Sequence, residues 1–244
     1  MNSAPRRNSS GGSGKALREA HRRLRRRFGE LAWWPAETPL EVCVGAVLAQ
    51  NTSWAGAEKA LANLRSGGLL GDARAMLALP EARLAALIRP AGTFRVKARR
   101  LRALLSWLVE RGGGDPARAL RGETAALRGE LLRVHGVGPE TADAILLYAG
   151  GHAVFVVDAY ARRVLGRHRW FDPGAGYEEI RAFLEGSLPR DPLLYNRFHA
   201  EIVTVGKEHC RPSPRCEGCP LEPMLPAGYP RPGMSTRRDR PGAA

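Results

Sequence analysis

The stretch from Leu131 to Leu165, LLRVHGVGPETADAILLYAGGHAVFVVDAYARRVL, constrains the fold more than any other part of the chain. It sets His135-Gly136-Val137-Gly138-Pro139 between two segments of helical period. Gly136 and Gly138 permit backbone geometries that other residues resist. Pro139 is preset for the first turn of a helix and lacks a donor that would go unused there. A helix, a tight hairpin and a second helix follow. The first-turn N–H groups of the second helix point one way, at the positive end of its dipole, and would suit an anion. The same residues also suit an ordinary packed corner. Asp158 follows Gly138 by twenty residues and closes the apolar run Ala153 to Val157. It directly precedes the helical pattern AYARRVL, where aspartate is a favoured N-cap.

Charge narrows the choice of anion. The chain carries 38 basic against 24 acidic residues, a formal net charge of +14. Nine of the basic side chains lie in residues 1–28, against the single acid Glu19, and the remainder is still basic. A polyanion, nucleic acid first, is the expected partner, although part of the surplus would also serve a flexible basic tail. No segment approaches the ~18 apolar residues of a membrane span, and residues 1–14 lack the apolar middle of a secretory signal. The expected location is cytoplasmic and nucleoid-associated, with no membrane partner. Of four cysteines, Cys210, Cys216 and Cys219 fall within ten residues. That spacing suits a metal or cluster site in a reducing compartment better than a secreted disulfide framework. Cys43 sits in an apolar run and reads as a small buried side chain.

Periodicity predicts an all-α fold. Lys15 to Phe28 reads as a basic amphipathic helix. Thr38-Pro39-Leu40-Glu41 opens the next, with Thr38 as N-cap, Pro39 in the first turn and Glu41 placed for a capping box. Further helices are expected over Thr52–Leu64, Asp72–Ala78, Pro80–Ile88, Lys97–Arg111, Thr124–Val134, Pro139–Tyr148, Ala159–Gly166, Tyr177–Leu188 and Asn196–Lys207. Gly112 to Pro116 reads as a loop. The one β-like run, Ala153–Val157, is too short and isolated to build a sheet.

HGVGPETADAILLYA followed by VFVVDAYARRVL resembles the helix-hairpin-helix DNA glycosylases of the endonuclease III superfamily, across about residues 15–225. LAQNTSW and AGTFRVKARRL are similar to that family as well. The resemblance implies a two-domain fold. A helical barrel domain over 36–150 carries the hairpin. A second, discontinuous domain is built from 15–35 and 151–225, with a cysteine loop that suits an iron–sulfur cluster. Residues 1–14 and 226–244 are expected as disordered tails. The partner would be double-stranded DNA containing damaged bases, bound by a monomer.

The resemblance also assigns roles. Asp158 matches the aspartate that promotes departure of the damaged base. Gly136, Val137, Gly138 and Thr141 match the hairpin that meets DNA phosphates, which positions the backbone without reading sequence. Gln50 matches the residue that enters the gap left by a flipped base, and Lys97 is expected near a phosphate. Bifunctional members carry a lysine two residues past the second hairpin glycine, and that amine opens the sugar through a Schiff base. Here the position is Glu140, which cannot. AP lyase activity is therefore not expected, unless Lys97 or Lys207 stands in. Trp33, Trp34 and Trp54 resemble the branch that removes alkylated purines such as 3-methyladenine, whose positive charge suits electron-rich rings; each could equally be a packing anchor. In the family, four cysteines hold a 4Fe–4S cluster. Cys210, Cys216 and Cys219 match three of them, while Leu225 stands near the fourth position, leaving a substitute ligand such as His209, a labile cluster or none. The reading is a base-excision repair glycosylase that hydrolyses the N-glycosidic bond. The alternatives are a bifunctional glycosylase/AP lyase for oxidised pyrimidines and a non-catalytic DNA-binding protein.

Overall fold

The computed structural model of the chain describes residues 10–31 and 36–229. Its contacts divide the chain into two units, 34–154 and a discontinuous one formed by 1–33 and 155–244. Among the described residues the regular structure is all helix, and no helix is long and apolar enough to cross a membrane.

The continuous unit holds α2 (Pro39–Leu48), α3 (Trp54–Ser66), α4 (Ala73–Ala78), α5 (Glu81–Leu87), α6 (Phe94–Gly112), α7 (Pro116–Ala119), α8 (Thr124–Arg133) and α9 (Pro139–Ala144), which runs into a π-helical turn at Ile145–Ala149. Helix α2 is buried along its length from Leu40 to Leu48, as expected of a helix apolar on all sides. Thr38 accepts a hydrogen bond from the Glu41 N–H at 3.2 Å, so the cap forms as read. The Glu41 carboxylate, however, takes the N–H of Glu37 (2.7 Å) and the guanidinium of Arg65. The capping box is therefore shifted by one residue and tied to α3. Helix α6 buries Lys97, Ala98, Leu101, Leu104, Leu105 and Leu108, one stripe at helical spacing.

The loop expected over Gly112 to Pro116 is shorter than predicted. Asp115 caps α7 by accepting the Ala117 N–H at 2.9 Å, with Pro116 in the first turn. Asp-Pro is a start signal as well as a turn signal, and here the start prevails.

The discontinuous unit holds α1 (Ser10–Phe28), α10 (Ala159–Arg167), α11 (Tyr177–Ser187) and α12 (Pro192–Glu208). Helix α1 begins five residues before Lys15, inside the segment expected as a disordered tail. Gly14 packs so closely on the end of α11 that a Cβ would lie 2.9 Å from the Ser187 carbonyl oxygen. Leu17, Ala20 and Leu24 form the buried stripe of α1, and His21 Nδ1 lies 2.7 Å from the carboxylate of buried Glu201 on α12.

Phe155 to Val157 is buried without being a strand. The Phe155 N–H donates to the Glu185 carboxylate (2.9 Å) and the Val157 N–H to the Tyr177 hydroxyl (3.4 Å). Side chains of α11 thus supply the acceptors that a neighbouring strand would otherwise give.

Candidate active site and nucleic-acid interface

The hairpin is a closed turn. The Val134 N–H donates to Leu131 O and the Val137 N–H to Val134 O, both at 3.0 Å. Gly136 sits at φ 81°, in the left-handed region. A side chain there would strike the Arg100 side chain, with a Cβ only 2.1 Å from its Cγ. Gly138 is the extended N-cap of α9, its carbonyl accepting from Ala142 at 2.9 Å, and Pro139 follows. The first-turn amides of α9 have no acceptor within the helix. Glu140 is exposed in that turn, where a negative charge complements the dipole.

Behind the turn lies a network that the sequence did not reveal. Gln50 Nε2 donates to Gly136 O and to Thr141 Oγ1, each at 2.9 Å, while its Oε1 accepts from Arg100 Nη1 at 2.7 Å. The Gln50 amide is thus engaged at both ends in supporting the hairpin. It could enter a duplex only by exchanging those bonds. Arg100 was missed because its partner lies fifty residues away; the RR pair in AGTFRVKARRL carries no sign of it. Asn51, next to Gln50, takes a left-handed conformation (φ 48°), which asparagine tolerates better than most residues.

Several residues expected at phosphates are buried in the structure. Val137 is 5% exposed and its N–H closes the turn. It is a core residue of the hairpin. Thr141 is 7% exposed and its hydroxyl faces Gln50. Lys97 is 1% exposed, with Nζ donating to Leu48 O (2.7 Å) and Ala91 O (2.6 Å). Its ammonium faces these two carbonyls rather than solvent. Burial, helped by the nearby charge of Arg100, pushes its pKa down to about 8. Its role is to cap the carbonyl ends of α2 and of the turn at Arg89–Ala91, a favourable place for a cation. Arg128 and fully buried Asp143 form a bidentate pair (2.6 and 3.2 Å) between α8 and α9, the two helices of the hairpin.

In the other unit, Asp158 is the N-cap of α10. Its Oδ1 accepts the Ala161 N–H at 2.7 Å. His199 Nε2, from α12, lies 3.5 Å from the same oxygen. Burial alone would raise the carboxyl pKa. The charge and hydrogen bond of His199, with the N–H groups of Ala161 and Tyr160, outweigh it and hold the group below the usual aspartate range. Asp158 is a fixed carboxylate at neutral pH, and its side chain keeps 17% exposure. Capping and an available charge therefore coexist. His199, 3% exposed, reads from sequence as one more core position on the apolar face of α12.

Cys210, Cys216 and Cys219 line one cavity together with Leu225. Arg167 Nη1 donates to Cys210 Sγ (3.2 Å) and Arg211 O (2.5 Å), and its Nη2 to Pro212 O (2.9 Å). Arg163 Nε adds a bond to Cys210 O at 2.7 Å. His209 Nδ1 lies 3.2 Å from Arg215 O, so that ring nitrogen faces backbone. Among the described residues no group of three or more His, Cys, Asp or Glu side chains could hold a metal ion. With an apolar residue at the fourth position, the residues present do not fit a four-thiolate cluster. Cys43 is fully buried, and burial pushes its thiol up to about 12, in keeping with a packing role.

Of the three tryptophans, Trp54 is half-buried at the first position of α3. Trp33 and Trp34 lie outside the described residues. Lys207 is exposed in the last turn of α12.

The family model described as "HhH-GPD superfamily base excision DNA repair protein" matches residues 44–190. The chain is 44% identical over 196 residues to the protein named "Putative DNA repair glycosylase MJ1434" of Methanocaldococcus jannaschii, covering 80% of this chain and 89% of that one. Its fold is similar to a Helicobacter pylori 3-methyladenine DNA glycosylase bound to 1,N6-ethenoadenine, with TM-score 0.67, 27% identity, and 80% of this chain and 97% of that one covered. It is also similar to endonuclease III in a trapped covalent DNA complex, with TM-score 0.73, 24% identity, and 87% and 95% coverage. Hairpin, capped aspartate and the matched span together carry one conclusion: the chain belongs to the HhH-GPD superfamily of base excision DNA repair proteins.

Proposed function

We propose that this protein is a monofunctional DNA glycosylase that hydrolyses the N-glycosidic bond of alkylated purines in double-stranded DNA. The observation that carries the reading is Asp158, a carboxylate held ionised and fixed at the N-terminus of α10 while still partly exposed. Breaking the bond sends its electron pair to the departing base and builds positive charge on the sugar. A fixed carboxylate stabilises that charge. It also orients the attacking water, whose oxygen bonds to C1′ and whose proton passes to the carboxylate or to solvent.

Glu140 supports the monofunctional reading. It stands where an attacking lysine would be needed, and a carboxylate forms no Schiff base. Buried Lys97 offers no substitute. The likeness to a 3-methyladenine glycosylase supports the choice of base. An alkylated purine is a cationic leaving group, so neither a strong acid nor a covalent nucleophile is required. The backbone around exposed Gly138 and Glu140, at the start of α9, is the proposed phosphate contact.

The test is a panel of single-lesion duplexes, each assayed with and without alkali. Release of 3-methyladenine with strand scission only after alkali is expected. Release of thymine glycol without 3-methyladenine would overturn the base assignment. A covalent adduct trapped by borohydride in stoichiometric yield would overturn the monofunctional one. Asp158→Asn should slow excision by orders of magnitude, to a small measurable residual rate, and preserve duplex binding; excision at the wild-type rate would reduce Asp158 to a helix cap.

A further inference from the structure

Asp158 is fixed from two directions. From its own helix, the Ala161 N–H donates to Oδ1 at 2.7 Å. From α12, His199 places Nε2 3.5 Å from that same oxygen. The N–H groups of Tyr160 and Ala161 both belong to the first turn of the same helix and hold the carboxylate from one side only. The His199 ring nitrogen approaches from a different helix, at ion-pair distance, and limits the movement of that oxygen from the other side. The His199 ring is itself well held. It is 3% exposed and meets the Phe155 ring edge-on, with centroids 6.3 Å apart and planes at 71°. Phe155 in turn packs edge-on against Tyr195 and Phe198 at 5.4 and 6.1 Å. A chain of interlocked rings therefore runs from the aromatic core of this unit to one oxygen of Asp158.

We propose that His199 is a positioning residue for base excision, fixing the orientation of the Asp158 carboxylate through Oδ1. The inference rests on the reading of Asp158 as the group that acts at the sugar. His199 touches neither sugar nor base and acts only through Asp158. A carboxylate displaced by an ångström stabilises charge at the wrong point, and misplacement of that size can cost about 100-fold in rate.

Four variants test this by single-turnover excision on the duplex that wild type cleaves best, with affinity for the same duplex measured in parallel. His199→Leu keeps apolar volume and removes the ring nitrogen. The excision rate should fall about 10- to 100-fold with affinity unchanged. His199→Gln carries an amide N–H about as far from the backbone as Nε2 and should recover most of the rate. His199→Asn, one methylene shorter, should not. If the Leu variant does not fold, the contrast between Gln and Asn reads the same property. In an Asp158→Asn background, His199→Leu should slow the residual rate little further, since residues acting as a unit are not additive.

Wild-type excision by the Leu variant, or equal rates for Gln and Asn, overturns the inference. So does a Leu penalty undiminished in the Asp158→Asn background, which would give His199 a route independent of Asp158. Wild-type protein that releases no base from any lesion would overturn the proposed function first, and the inference with it.

Discussion

Lys97 shows how one buried charge can be mistaken for a surface one. In the sequence it is a lysine in a basic helix; in the structure its ammonium joins the carbonyl ends of two segments that flank the hairpin network. Lys97→Met leaves two buried acceptors without their donor, and a loss of about 3 kcal/mol is expected in urea unfolding. The pH dependence has a definite sign. Burial lowers the folded-state pKa to about 8, below the ordinary lysine value, so the folded chain binds fewer protons than the unfolded chain above that point. The stability contributed by Lys97 should therefore rise as pH increases from 8 toward 10.5. The difference in urea midpoint between wild type and Lys97→Met should widen over that range; a constant or narrowing difference would contradict the assignment. Nothing in the sequence around Lys97 distinguishes a lysine facing solvent from one facing the carbonyls of Ala91, six positions back, and Leu48, 49 positions back. Asp158 was more legible, since its cap position follows from its immediate neighbours, yet its partner His199 lies on another helix and left no trace.

Capping and period are local properties, so the sequence places most helices to within a few residues. Thr38-Pro39, Asp72 and Asp158 mark starts that the backbone confirms. The misses were tertiary in origin. Helix α1 begins early because Gly14 has a helix end to lie against, and the segment after the hairpin closes in a π-helical turn that its period does not announce. Helices α8 and α9 are joined by the buried Arg128–Asp143 pair. Removing one member takes a bidentate partner from a buried charge, so Arg128→Met should cost about 3–5 kcal/mol, and adding Asp143→Leu should recover much of it. Denaturant titration of the two variants checks this; equal losses would mean that the pair is not the joint between the helices. The loop after α12 makes a separate prediction. Arg163 and Arg167 already gather its carbonyls and one of its sulfurs. Anaerobically purified protein should contain far less than four iron and four sulfide per chain, by metal and sulfide analysis. Full stoichiometry would show that an outside ligand completes a cluster at Leu225.

At the scale of the molecule, the net charge of +14 acts as a field rather than through single contacts. Binding to duplex DNA should weaken steeply with salt, by about 1,000-fold between 50 and 200 mM if some six phosphates are neutralised. Fluorescence anisotropy on an undamaged duplex measures the slope, and a flat slope would contradict a phosphate-gripping surface. The order in which the two units appear in the chain has its own consequence. Residues 34–154 are contiguous, while the other unit needs both ends of the chain. During synthesis the continuous unit can gather its core as soon as its last helix leaves the ribosome. Helix α1 is made first and completed last: Leu17, Ala20 and Leu24 have no apolar cover until α11 and α12 arrive. A chain stopped before α12 would keep its hairpin and expose a greasy, arginine-rich helix, a ready target for a chaperone.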